Sequence, residues 1–193
     1  MLRLLIFSSI VLLLAGCSAR ITPPATPETP RSIFILDHGK HSSLVLTQAN
    51  GDLIRYSYGD WRYYAQVQTG IFSGFRAIAL PSKATLGRRE LPGPANAENV
   101  RQQVKVGIEN MLSLEAEAEA VDRLLEQLQH KFDAAHDSLL YRPEYDLEFV
   151  LHPVNYTLRH NSNRVLGDWL KALGSEIHGW PLLSDWQLEP SRQ

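Results

Sequence analysis

The sequence predicts an α+β domain, with strands grouped around two helices, and three observations lead to that expectation. Short apolar runs recur at 32–37, 43–47, 53–58 and 147–151, each the length of a strand and rich in Ile, Val, Leu, Phe and Tyr. Two other stretches, 113–132 and 164–173, space their apolar residues as helices do. Between the second and third runs stands Ala49-Asn50-Gly51-Asp52, whose Asn-Gly pair signals a tight hairpin turn.

The chain opens with Arg3, an apolar run from Leu4 to Leu14, and Leu14-Ala15-Gly16-Cys17. That run is too short to span a bilayer, which takes about 20 residues. With a basic start and small residues before the chain's one cysteine, the segment resembles a bacterial lipoprotein signal. The resemblance implies cleavage after residue 16, lipidation (palmitate included) of Cys17, and membrane anchoring. Ser18 rather than Asp follows, which implies the outer membrane, with the domain facing the periplasm. A lipidated Cys17 leaves the mature domain without a thiol for a disulfide or a nucleophile. Residues 17–31 hold Pro23, Pro24, Pro27 and Pro30 and read as a tether. Residues 32–193 then form a single domain.

Its elements follow in order. Ser32–Asp37 and Ser43–Thr47 read as buried strands, and Leu53–Tyr58 as a third, hairpinned to the second. Asp60 is placed to cap a short helix through Trp61, Tyr63 and Tyr64, aromatics that suit either the core or a recognition surface. Phe75–Leu80 is a further strand candidate, and 91–99 with Pro92, Gly93 and Pro94 is loop. Val104, Val106 and Ile108 alternate as in a half-buried strand. Ser113 would cap a helix to Phe132, buried through Leu114, Val121, Leu124, Leu125, Leu128 and Phe132, with Glu115, Glu117 and Glu119 favouring its N-terminus. After an irregular 133–146 come the run at 147–151 and a bend at His152-Pro153. A helix should begin among Asn161, Ser162 and Asn163, bury Val165, Leu166, Trp169, Leu170 and Leu173, and end at Gly174. The tail from Ser175, with Trp180 and Trp186, should wrap the domain.

A chain of 193 residues, 44% apolar, suffices for one well-cored domain. The formal net charge of −2 and scattered Lys and Arg give no sign of a nucleic-acid partner. His38 and His41 flank Gly39 between two strands; their spacing would suit a metal, but no third ligand lies nearby, so neither metal nor cofactor is expected. His41 could instead be a general base. Ser162, at the start of a helix, reads either as a cap or as a nucleophile favoured by helix amides.

Three segments together resemble a bacterial envelope family related to the permuted papain-like (NlpC-type) cysteine peptidases. They are Phe34 to Leu46 with His38-Gly39-Lys40-His41-Ser42 at its centre, Gly59-Asp60-Trp61 followed by Tyr63-Tyr64, and Ser162-Asn163-Arg164-Val165 opening a helix that closes at Gly174. The family's fold is a small antiparallel sheet against a helix whose N-terminus presents a cysteine, with the base histidine earlier in the chain. By that resemblance the site residues are Ser162 and His41, with His38, Asp60 and His160 as candidate orienting groups. This chain departs where the chemistry lies, since Ser162 replaces the cysteine and Val165 a tryptophan. A hydroxyl needs tighter base geometry than a thiol. The expectation is therefore a pseudoenzyme, a non-catalytic lipoprotein that binds peptidoglycan or an envelope protein. The alternative is a serine-nucleophile hydrolase or acyltransferase acting on amide or ester bonds.

Overall fold

The computed structural model describes residues 19–39, 41–66, 81–181 and 184–190. Cys17, the leader expected before it and the strand expected at 75–80 lie outside the described residues. Among these residues ten strands form two sheets. The larger joins β2 (Pro30–Asp37), β3 (Ser42–Thr47), β4 (Leu53–Asp60), β5 (Ser82–Leu91), β6 (Asn110–Glu117), β7 (Leu140–Arg142) and β8 (Leu147–Tyr156) in the order β6-β2-β3-β4-β5-β8-β7, antiparallel throughout. With seven strands it is larger than the small sheet expected. The smaller sheet sets β1 (Ala19–Thr22) between β9 (Glu176–His178) and β10 (Trp186–Leu188).

The expected hairpin is present. Gln48 N donates to Asp52 O at 2.8 Å, and Gly51 takes φ +90°, a conformation that side chains disfavour. Among the described residues four α-helices accompany the sheets: α1 (Trp61–Tyr64), α2 (Ala97–Gln103), α3 (Ala118–Ala134) and α4 (Ser162–Ala172). Helices α3 and α4 cover one face of the large sheet. There Val121, Leu124, Leu128 and Phe132 of α3 and Val165, Leu166, Trp169 and Leu170 of α4 meet Ile33, Ile35, Leu44, Leu46, Tyr56 and Tyr58. Each such side chain contributes about 1.5–3 kcal/mol on burial. The opposite face carries two smaller clusters, one around Phe34, Leu36, Val45 and Leu53, the other around Trp61, Tyr64, Leu147 and Phe149.

The structure corrects four expectations. Residues 104–108 form no strand, and the segment that pairs with β2 is Asn110–Glu117. Helix α3 consequently starts at Ala118 rather than beside Ser113, because alternating Leu112, Leu114 and Ala116 find a sheet edge that outweighs the helical preference of a Glu/Ala-rich sequence. Of the expected acidic cluster, Glu115 therefore lies in the strand, Glu119 in the first turn of α3, and at the N-cap position stands Glu117. Its carboxylate accepts from the backbone N–H groups of Glu28 (2.9 Å) and Thr29 (3.1 Å) and from the Thr29 hydroxyl. Residues 91–99 are loop only in part, since Asn96 caps α2. Residues 19–31 are not a free tether: Ala19 and Ile21 are fully buried in the main core, and β1 is bonded on both edges. The Pro-rich composition signalled extension correctly but not docking.

Candidate active-site region and cavity

Antiparallel pairing brings the ends of five strands to one edge of the large sheet, as the registers Asp37–Ser42, Asp60–Ala84 and Ser82–Tyr156 show. Helix α4 begins at that edge. Asn161 is the N-cap, its Oδ1 accepting from Arg164 N at 2.9 Å, so Ser162 is the first helical residue and not the cap. The Ser42 hydroxyl locks this terminus to β3 by donating to Asn163 Oδ1 (3.1 Å) while accepting from Trp186 Nε1 (2.9 Å), all three residues being buried. Ser162 is 3% exposed and lies beside the Tyr156 phenol, on whose pKa it acts. Burial first, then the nearby Asp60 charge, raise the pKa of Tyr156. It is therefore a neutral phenol at pH 7 and no base for Ser162.

A second cluster lies on the sheet face opposite α4, at the same edge. A cavity of about 370 Å³ opens between the two smaller apolar clusters, lined by His38, His41, Arg55, Tyr63, Tyr64 and Tyr145 among others. The turn between β2 and β3 aims both histidines there. Gly39 takes φ +90°, and His38 N donates to His41 O at 2.9 Å. The His41 ring packs on Tyr63 and Tyr64, with centroids 5.5 and 5.1 Å apart. Tyr64 lies over Gly59, where a Cβ would come within 2.2 Å of its ring, which accounts for the glycine before Asp60.

His38 donates from Nδ1 to Gly107 O at 2.7 Å, which leaves Nε2 to accept from Ser43 Oγ (2.9 Å) and Arg55 Nη2 (3.1 Å). Burial, followed by the Arg55 charge, lowers its pKa to about 4, so the ring is neutral at pH 7. Arg55 also donates from Nε to Ser43 Oγ (3.0 Å) and from Nη1 to Tyr145 O (3.4 Å).

The residues expected to form one site thus fall into separate settings. His38 and His41 share the cavity, and Ser162 is not among its lining residues. Asp60 caps α1, accepting from Tyr63 N (2.9 Å) and from the Ser82 hydroxyl. His160 Nδ1 sits 2.8 Å from the Tyr58 hydroxyl, which itself donates to Val154 O. Trp61 and Tyr64 are core residues, whereas Tyr63 is half-buried at the cavity. Among the described residues no cluster of His, Cys, Asp and Glu could hold a metal, and no helix is long and apolar enough to cross a membrane. Sequence reasoning missed Arg55, because a lone charge in an apolar strand reads as solvent-facing, and Tyr156, whose strand was expected to stop at Leu151. Compared with known proteins, the chain matches no family model, no curated sequence and no solved structure.

Proposed function

We propose that the protein is an outer-membrane lipoprotein, anchored through Cys17, whose permuted papain-like domain binds an envelope ligand or partner rather than cleaving it. The observation that carries this reading is the separation of the motif residues. His38, His41, Tyr63 and Tyr64 line a cavity that Ser162 does not join, while Ser162 is buried beside a neutral phenol. The cavity offers recognition groups without the lipobox cysteine or a second thiol, since the chain has one cysteine. One feature favours the alternative, a serine hydrolase or acyltransferase with peptidoglycan peptides as the substrate class. Ser162 stands in the first turn of an eleven-residue helix, where backbone amides favour negative charge.

Fluorophosphonate labelling of the full chain, read by mass spectrometry, separates the two. The binding reading expects no adduct on Ser162. An adduct that disappears in both Ser162→Ala and His41→Ala would establish an activated hydroxyl and overturn it.

A further inference from the structure

Arg55 lies in β4, the middle strand of the large sheet, and is 3% exposed. Burial lowers its pKa to about 10, so the guanidinium stays charged at pH 7. A buried cation ordinarily faces a carboxylate, because an ion without a counter-charge is costly in a low-dielectric interior. Here it faces none. Every Asp and Glu of the chain lies among the described residues, and none pairs with Arg55. Its acceptors are a hydroxyl, a neutral imidazole and a carbonyl. Of the groups acting on it electrostatically, Tyr64 comes first and is a neutral phenol at pH 7, and Arg89 has the same sign and is itself paired with Asp146. Three of the five guanidinium N–H groups are engaged, so two have no acceptor among the described residues.

The rest of the cavity has a matching polarity. Tyr63, Tyr64 and Tyr145 supply aromatic wall. Glu109 and Glu144 stand at the rim, both exposed and neither in an ion pair or side-chain hydrogen bond among the described residues. Glu109 leans over Gly39, its Oε1 2.5 Å from where a Cβ would stand, so the glycine leaves room for it there. A dianion such as phosphate would gain from Arg55 but meet two carboxylates on the way in. A molecule with a carboxylate at one end and an ammonium at the other satisfies both ends of the cavity.

We propose that this cavity receives the carboxylate of a free amino acid or short peptide on Arg55, with the ligand's ammonium held by Glu109 and Glu144. This rests on the binding reading above and names its ligand class. Titration calorimetry on the full chain in detergent, with alanine, D-alanyl-D-alanine, the amide of that dipeptide, propionate and inorganic phosphate, tests it. The expected result is saturable binding of alanine or the dipeptide, with the tighter of the two telling free amino acid from peptide terminus. Amidation of the carboxylate should weaken binding at least tenfold, as should Arg55→Lys, which keeps the charge but loses the fork. Glu144→Gln, an exposed change, should weaken alanine several-fold and leave propionate unaffected. Equal binding of amide and acid, phosphate binding as tightly as the dipeptide, or no heat from any probe at millimolar concentration would each overturn the proposal. If Arg55→Lys fails to fold, the amide comparison and Glu144→Gln decide alone. An absence of binding in a chain whose Ser162 stays unlabelled removes the ligand class and leaves the binding reading standing; a labelled Ser162 removes that reading itself.

Discussion

His38 is held neutral by its surroundings, and that has a measurable consequence for stability. Its ordinary pKa of about 6.5 belongs to the unfolded chain, and burial beside Arg55 brings the folded value to about 4. Between those values the unfolded state binds more protons, so stability is complete above pH 6.5 and falls as pH drops toward 4. The loss should be about 2–3 kcal/mol, discounted for the partial exposure of the ring. Denaturant midpoints measured from pH 7 to 4 should show that slope, and His38→Gln should flatten it. Some slope should persist, because burial lowers the pKa values of His152 and His160 in the same direction. A pH profile identical in wild type and His38→Gln would show that the ring is not buried neutral. The presence of two histidines around Gly39 was legible in the sequence, but their shared cavity was not. That depends on Arg55 arriving from the neighbouring strand, and no local pattern distinguishes an inward from an outward charge at such a position.

Elements whose signals are local were the ones that could be read directly. Strands β2, β3 and β4 announce themselves as apolar runs around an Asn-Gly turn, and α4 by its cap, its apolar spacing and Gly174 at φ +91°. Strand β5 was missed because Ser82-Lys83 and Arg88-Arg89-Glu90 surround only a brief apolar middle; its extended form comes from β4 and β8 on its two sides. Strand β6 was mistaken for helix because its pairing partner lies about 80 residues earlier. The N-terminus of α4 gives the test at this scale. Asn161→Ala removes the acceptor for Arg164 N and should cost about 1 kcal/mol. Ser162→Ala should not act as a cap deletion, since the cap is the preceding residue. Chemical denaturation of the two variants, with Asn161→Asp as a rescue, checks the assignment. A loss in Ser162→Ala that Asn161→Ala does not share would return the capping role to Ser162.

The whole molecule is closed by its own ends. Strand β1 is the middle strand of a sheet whose other members come from the last twenty residues of the chain, with Arg20 paired to Glu189 and the Thr22 hydroxyl donating to the same carboxylate. Trp186 in β10 reaches Ser42 and packs over Gly167, so the tail, β1, α4 and β3 form one connected unit. Ile21 is fully buried, and Ile21→Ala should cost about 2–5 kcal/mol. Deleting residues 1–28 should lower the unfolding midpoint at least as far, by stripping both β9 and β10 of their partner. A free tether would make both changes neutral, and calorimetric unfolding distinguishes the outcomes. Composition identified residues 17–31 as extended, and it had no means of revealing that the extended piece is stitched to the far end of the chain.

That stitching shortens any leash. Ala19 N is already bonded to Asp185 O at 3.1 Å, so only residue 18 lies between Cys17 and the packed domain. Two residue steps extend to about 7 Å at most. A lipid on Cys17 would therefore hold the domain close to the bilayer. The catchment of the cavity would then be bounded by the breadth of the domain itself, and the molecule would give up the reach that a long leash provides.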